Sequence, residues 1–215
     1  MPSMTLEQAF AMAVQSQQAG RFADAEAMCR QIVAYKPDHA EALHMLALLA
    51  HRAGHTEPAI EFFQKAIAAN PNAGAYHANL GLAFATAGQI PQAVEAFERA
   101  IALDPGLADA HYNLGLLHRC ERRFDEAISS YHKAIACRPD FVDAINNLGH
   151  VHLLKGQLAE ATALFRQTLA LQPNHKEAAE NLKAAETFQQ KLDEKVAQDE
   201  AAAAAKSAEP QNATT

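Results

Sequence analysis

Histidine and cysteine are the side chains of this 215-residue chain that could ligate a metal or act in catalysis. Eleven histidines are present, but His51 and His55 are separated by Gly54, which is expected to end a helix. Their spacing therefore does not place two ligands on one helical face. No Ser–His–Asp arrangement, glycine-rich phosphate loop or carboxylate pair stands out. We expect no catalytic residue, no cofactor and no metal site.

The three cysteines do not form a recognisable framework either. Their spacing is irregular, and they fall at different places in the pattern described below: Cys29, Cys120 and Cys137. Such cysteines are typical of reduced thiols in a reducing compartment.

Three asparagines could bind a peptide, because they recur at a fixed interval. Asn79, Asn113 and Asn147 follow one another every 34 residues. A side-chain amide both donates and accepts hydrogen bonds, so a row of amides can pair with the backbone of an extended peptide. The alternative, that these amides only solvate the surface or bond a neighbouring helix, stays open. Further candidates for the same surface are aromatic, amide and basic residues: Tyr112, Asn146, Arg119, His51 and Arg52.

The elements that must position these residues share the same period. Prolines mark it at intervals of 34 residues: Pro37, Pro71, Pro105, Pro139 and Pro173. A constant period in this range indicates a stacked array of small units. We number each repeat so that the proline is position 32. Helix A is then predicted over positions 1–14 and helix B over positions 16–31, because proline ends a helix.

Small and large residues alternate in a way that suits closely packed helix pairs. Position 20 is alanine in all copies, position 8 is alanine or glycine, and positions 7 and 24 are mostly large and apolar. Position 15 is glycine except for Arg122, whose turn is expected to differ or to carry strain. The residue after the proline is expected to be an N-cap of helix A: Asp38, Asn72, Asp140 and Asn174.

These positions resemble the tetratricopeptide repeat (TPR) family from about Leu6 to Ala185. The resemblance implies an all-α fold, a right-handed superhelix (alpha solenoid) of five helix-turn-helix repeats with a C-terminal capping helix. The implied segments are an atypical first repeat at 6–39, repeats at 40–73, 74–107, 108–141 and 142–175, a capping helix at 176–206 and a disordered tail at 207–215. A terminal repeat is expected to deviate, because one side of it has no neighbour.

In this family helix A lines the concave side, so the candidate residues are expected to face a groove. The asparagine row resembles that of the superhelical repeat region of O-linked N-acetylglucosamine transferases. Our leading interpretation is a non-enzymatic adaptor that binds an extended peptide segment of another protein. The alternatives are the substrate-recognition arm, or a fragment, of such a glycosyltransferase, and self-association through the outer faces or ends. Some TPR domains bind the acidic C-terminal tails of chaperones. The acidic side chains at position 2 make that kind of binding site improbable here.

Composition excludes several other classes of partner. The net charge is −7, with 18 Lys and Arg against 25 Asp and Glu. Because no basic stripe with interleaved aromatic residues is present, we expect no nucleic acid partner. The longest apolar run is too short to cross a membrane, and the N-terminal residues do not resemble a signal peptide. The expected location is cytoplasmic.

Overall fold

A computed structural model describes residues 4–208, and the side chains of residues 4–204. Within this range the chain forms α-helices and no strand, which confirms the all-α expectation. The helices are α1 (Leu6–Gln18), α2 (Phe22–Tyr35), α3 (Ala40–Arg52), α4 (Thr56–Ala69), α5 (Gly74–Thr86), α6 (Ile90–Leu103), α7 (Ala108–Cys120), α8 (Phe124–Cys137), α9 (Val142–Leu154), α10 (Leu158–Leu171) and α11 (Lys176–Ala208).

The helices are arranged in two compact units, Met1–Arg123 and Phe124–Thr215. In the first unit α1, α3 and α5 each pack on the helix B of the same repeat, and α3, α5 and α7 each pack on the helix B that precedes them. In the second unit α9 packs on α8 and α10, and α11 packs on α10. The predicted fourth repeat, 108–141, therefore contributes α7 to one unit and α8 to the other.

A left-handed residue ends every helix A. Gly88 has φ +74°, and its N–H donates to the carbonyl of Ala85 at 3.0 Å, while Gln89 N–H donates to Phe84 at 2.9 Å. This pair of bonds is a Schellman motif, which satisfies carbonyls that the helix leaves unpaired. Arg122 adopts the same conformation with φ +60°, so the fourth turn keeps its geometry and carries the strain of a side chain in the left-handed region.

The turn between repeats uses the proline differently from the sequence prediction. His39 N–H donates to the carbonyl of Lys36 at 3.1 Å, so Pro37 and Asp38 are the central residues of a turn. Helix α3 begins at Ala40, position 1 of the repeat as predicted, but its N-cap is His39, whose Nδ1 accepts from Ala42 N–H at 3.3 Å.

The prediction that the residue after the proline caps helix A was therefore wrong. His39, Ala73, Leu107 and Phe141 are the N-cap residues of α3, α5, α7 and α9.

The two helices of a repeat approach closely through their small residues. Ala93, at position 20 of α6, is fully buried, and so is its counterpart in each other repeat. The ring of Phe97, at position 24, lies so near helix A that a Cβ on Gly81 would be 2.9 Å from it. Phe165 and Gly149 repeat this arrangement, also at 2.9 Å. At Gly81 and Gly149 the absence of a Cβ therefore allows the ring to pack directly on helix A.

The first repeat departs from this pattern at its outer side. Met12, expected to fill a packed position, is 43% exposed, whereas its counterpart Leu46 is 3% exposed. No repeat precedes α1 to cover it in the described part of the chain. Cys29 takes the place of the aromatic ring, and burial raises the pKa of its thiol to about 11. Its Sγ lies 3.3 Å from Met45 Sδ, so this cysteine behaves as a core residue.

The last helix extends beyond the part that packs. Ala178 and Ala185 of α11 are fully buried, but Phe188, Leu192 and Val196 are exposed. Ser207 and Ala208, predicted to belong to a disordered tail, are helical. The rest of that predicted tail, 209–215, lies outside the described residues.

Ala93→Leu tests the close approach. The added side chain has no space between α5 and α6, so we expect the free energy of unfolding to fall by about 1–3 kcal/mol. Ala102→Leu, at an exposed position of the same helix, is the matched control and should change stability little. Urea unfolding followed by circular dichroism gives both values, and a neutral Ala93→Leu would contradict the packing described for position 20.

Arg122→Gly tests the strained turn. Glycine adopts positive φ without the cost of about 1–2 kcal/mol that a side chain carries, and loses part of that gain to backbone entropy. We expect a net stabilisation of about 0.5–1 kcal/mol. Gly88→Arg should destabilise by a similar amount in the same measurement. A destabilised Arg122→Gly variant would mean that the arginine side chain contributes contacts that outweigh its backbone strain.

Candidate functional site

Asn79 is held by the helix A that precedes it. Its Nδ2 amide donates to Nε2 of His44 at 2.9 Å, which joins α5 to α3. The imidazole of His44 also stacks on the ring of Tyr76, with centroids 4.3 Å apart and planes 19° apart. Phe63 lies behind it, at 5.6 Å between centroids. This cluster fixes the direction of the Asn79 amide on the helix A face of the first unit.

The hydrogen bond also fixes the protonation of His44. Because an amide nitrogen only donates, Nε2 must be the acceptor and the ring proton must sit on Nδ1. Burial agrees, since it lowers the pKa of His44 to about 4. Burial also raises the pKa of the neighbouring Tyr76, with a smaller contribution from the charge of Glu41. The cluster is therefore neutral at ordinary pH.

Asn113 and Asn147 are arranged differently from Asn79. Each donates its Nδ2 amide to the carbonyl four residues earlier in its own helix, Asp109 in α7 and Asp143 in α9, at 2.8 Å. Both amides are half-buried. The oxygen of Asn113 makes no hydrogen bond within the described residues, so it can accept one from a ligand.

The basic candidates on α3 are partly occupied by the protein itself. The guanidinium of Arg52 lies 3.8 Å from the ring centroid of Phe22, so it stacks on helix B of the first repeat. His51 is half-buried, and its Nδ1 is buried without a hydrogen-bond partner in the described part of the chain. On α7, Tyr112 and Arg119 are half-buried.

Asn146 does not lie on an open surface, contrary to the expectation from the sequence. It is 3% exposed, and its Oδ1 finds no hydrogen-bond partner among the described side chains and backbone. In the first unit two residues at position 5 contact the following helix A or its N-cap, and His44 is one of them, through Asn79. Phe10, the counterpart in α1, contacts His39 at the start of α3, with centroids 5.4 Å apart.

An apolar row and acidic side chains border the amides of the first unit. Position 9 holds half-buried or exposed aliphatic residues, of which Leu82 is 40% exposed. Position 2 holds exposed carboxylates, among them Glu41 and Asp109. Aliphatic side chains next to an amide suit a peptide that carries apolar residues of its own.

Two parts of this surface were not predicted from the sequence. His44 and Tyr76 occupy positions 5 and 3, which differ in type from copy to copy, so the period gave no signal for them. Asn181 did carry a signal, because it follows Asn147 by one more interval of 34 residues. It occupies position 6 of α11, the helix that was predicted to be only a cap.

Several histidines outside this cluster have local structural roles. His77 and His111 donate Nε2–H to the carbonyls of Pro71 and Pro105, each at 3.1 Å, and so brace the turns between repeats. His175 Nδ1 accepts from Ala178 N–H at 3.1 Å at the start of α11. The described residues contain no group of three or more His, Cys, Asp or Glu that could hold a metal ion. None of the described helices is long and apolar enough to cross a membrane.

Models of one repeat family match the chain over most of its length. The tetratricopeptide repeat is matched at residues 78–140 and, by a second model, at residues 17–81 and 121–186. The chain belongs to the tetratricopeptide repeat family. TPR units generally serve as scaffolds for protein–protein interaction.

Solved TPR structures share the fold. MamA is 28% identical with a TM-score of 0.70, over 75% of this chain and 94% of its own. YrrB, a TPR protein with an unusual peptide-binding site, is 20% identical with a TM-score of 0.70, over 84% and 93%. A thermophilic TPR protein of Thermus thermophilus, TTC0263, is 23% identical with a TM-score of 0.63, over 84% and 98%. Comparison with curated proteins found no match.

Acid should destabilise the first unit through His44. Its folded pKa of about 4 lies below the ordinary value of 6.5, so the unfolded state binds the proton first as the pH falls. The free energy of unfolding should therefore decrease from about pH 6.5 to pH 4.

His44→Gln should reduce this decrease, when unfolding is measured by urea titration at several pH values. His55→Gln removes an exposed histidine at the start of α4 and should keep the pH dependence of the parent protein. Equal slopes for the parent protein and His44→Gln would show that the neutral form of His44 is not required by the fold.

Proposed function

We propose that the chain is a non-enzymatic scaffold that binds an extended segment of another protein along the exposed face of its A helices. The observation that carries the proposal is the amide pair Asn79 and Asn113, at the same register of α5 and α7. An extended peptide offers a backbone N–H and a carbonyl at each residue, and an amide side chain pairs with both.

The state of each amide supports backbone recognition. Asn79 is fixed by its bond to His44, so its orientation is set before a ligand arrives. Asn113 uses one N–H internally and keeps its oxygen for a donor. Preorganised groups bind with a smaller loss of side-chain entropy. Such contacts recognise the peptide backbone, so they allow many different side chains on the peptide.

Neighbouring residues narrow the chemistry of the bound segment. Leu82 is exposed beside the amides, so the segment should carry apolar side chains that cover it. Glu41 and Asp109 are exposed carboxylates on the same A helices, and they disfavour an acidic segment. We therefore propose an extended, partly apolar peptide without an acidic run.

The comparisons with known proteins support a role as a protein-interaction scaffold. They do not identify the bound segment or the residues that bind it. YrrB has a peptide-binding site on a similar fold, but an identity of 20% carries only the fold to this chain. No contact in the described residues favours the glycosyltransferase arm over a scaffold, and self-association likewise has no specific support. Both stay predictions from the sequence, as do the cytoplasmic location and the absence of nucleic acid and membrane partners.

Asn113→Ala with Asn147→Ala tests the amide row. Each amide donates Nδ2 to a carbonyl of its own helix, and alanine favours helices, so the double variant should remain folded. Peptides selected from a phage-displayed library of random dodecamers on the parent protein provide the probes. We expect the double variant to bind them about tenfold more weakly, as loss of two net hydrogen bonds implies.

The matched control is Asn72→Ala with Asn174→Ala, which removes two exposed asparagines from the turns between repeats. It should bind the selected peptides as the parent protein does, by fluorescence anisotropy. Leu82→Ser should lower the affinity for those selected peptides that carry apolar residues. Failure of the library to yield any binder, or equal affinity of the double variant, would contradict the proposal.

A further inference from the structure

The amide row continues onto the last helix. Asn181 follows Asn147 at the repeat interval and occupies position 6 of α11. It is half-buried, as Asn79, Asn113 and Asn147 are. Helix α11 therefore presents the same residue type at the same register as the A helices of three repeats.

Asn181 differs from the other three amides in its hydrogen bonds. Asn79, Asn113 and Asn147 each donate Nδ2 to a group of the protein. Asn181 makes no hydrogen bond within the described residues. Of the four amides at position 6, it is therefore the one whose donors and acceptor are all available to a ligand.

The neighbouring position on α9 holds a matching unpaired group. In the first unit the residue at position 5, His44, accepts the amide at position 6 of the next helix A. In the second unit, position 5 of α9 is Asn146, and position 6 of the next helix in that register is Asn181. The Oδ1 of Asn146 is buried and lacks a partner among the described residues, although Asn146 is only 3% exposed.

A buried carbonyl without a donor is unusual, because folding removes its water without replacing it. Asn181 has the same repeat position relative to Asn146 that Asn79 has relative to His44, so its amide is the donor that the repeat pattern offers. A rotation of the Asn181 side chain would give Asn146 the donor that Asn79 gives His44, and would direct the remaining N–H and the oxygen outward.

We propose that Asn181 is a contact for the main chain of an extended peptide and that Asn146 is its positioning residue. The inference rests on the proposed function and extends it to α11, which was predicted to be only a cap. Adjacent helices lie about 8–10 Å apart and a strand advances about 3.3 Å per residue. Within the second unit, the step from α9 to α11 therefore corresponds to about three residues of a bound peptide.

The test uses the full chain and the dodecamer peptides selected on it. Asn181→Ala should raise Kd about three- to tenfold, the range for one net hydrogen bond. Asn174→Ala, in the turn before α11, is the matched control and should leave Kd unchanged. The side-chain NH₂ resonances of Asn181 should shift when the peptide binds, in a ¹⁵N correlation spectrum.

A scan of N-methylated peptides locates the contact. Methylation removes one peptide N–H at a time. The methyl group that weakens binding to the parent protein should have no further effect on Asn181→Ala. Additive effects at every peptide position would overturn the assignment of Asn181.

Asn146 is tested by a double-mutant cycle with Asn181. If Asn146 positions the amide, Asn146→Ala and Asn181→Ala should weaken binding by less together than the sum of their separate effects. Independent effects would reduce Asn146 to a structural role. Circular dichroism of each variant checks that the helices are intact, and Asn146→Ser provides a second variant if Asn146→Ala fails to fold.

The outcomes separate this inference from the proposed function. If peptide affinity falls on substitution of Asn113 but not of Asn181, the inference is overturned and the proposed scaffold function stands. Peptides that depend on neither residue would overturn both. Dependence on both residues, with shifted Asn181 resonances, supports both.

Discussion

The fit of an aromatic ring against a bare helix backbone is the constraint on which the rest of the structure depends. Phe97 and Phe165 lie where a Cβ on Gly81 or Gly149 would be 2.9 Å away. The close contact between ring and backbone sets the distance between the two helices of a repeat. It also buries one side of helix A. Because helix B covers that side, the opposite side of helix A is left for contacts with neighbouring A helices and for the proposed peptide.

Several histidines that could have been metal ligands or catalytic residues form hydrogen bonds in the turns and at the helix ends. Prolines fill the central position of the turn between repeats, and His77 and His111 donate to the proline carbonyls. His39 and His175 each accept one N–H from the first turn of α3 and α11. These four histidines therefore serve hydrogen-bonding needs at helix ends and at the turns between repeats.

The asparagines at position 6 have different hydrogen-bond partners in different repeats. Asn79 is bonded to an imidazole on the preceding helix, Asn113 to its own backbone, and Asn181 to nothing within the described residues. The proposed peptide would therefore compete with internal bonds at some positions and not at others. Its affinity would come from many weak contacts, since each hydrogen bond exchanges one partner for another.

The sequence by itself determined the period, the helical class, the helix pairs and the left-handed turn at position 15, because these follow from local steric preferences that recur every 34 residues. It misplaced the N-caps by one residue, since a turn through Pro37 and Asp38 competes with capping by Asp38. Only the tertiary structure decided that Asn146 is buried and that Met12 is exposed. Burial depends on which neighbouring helix lies opposite a side chain, and a single repeat does not contain that information.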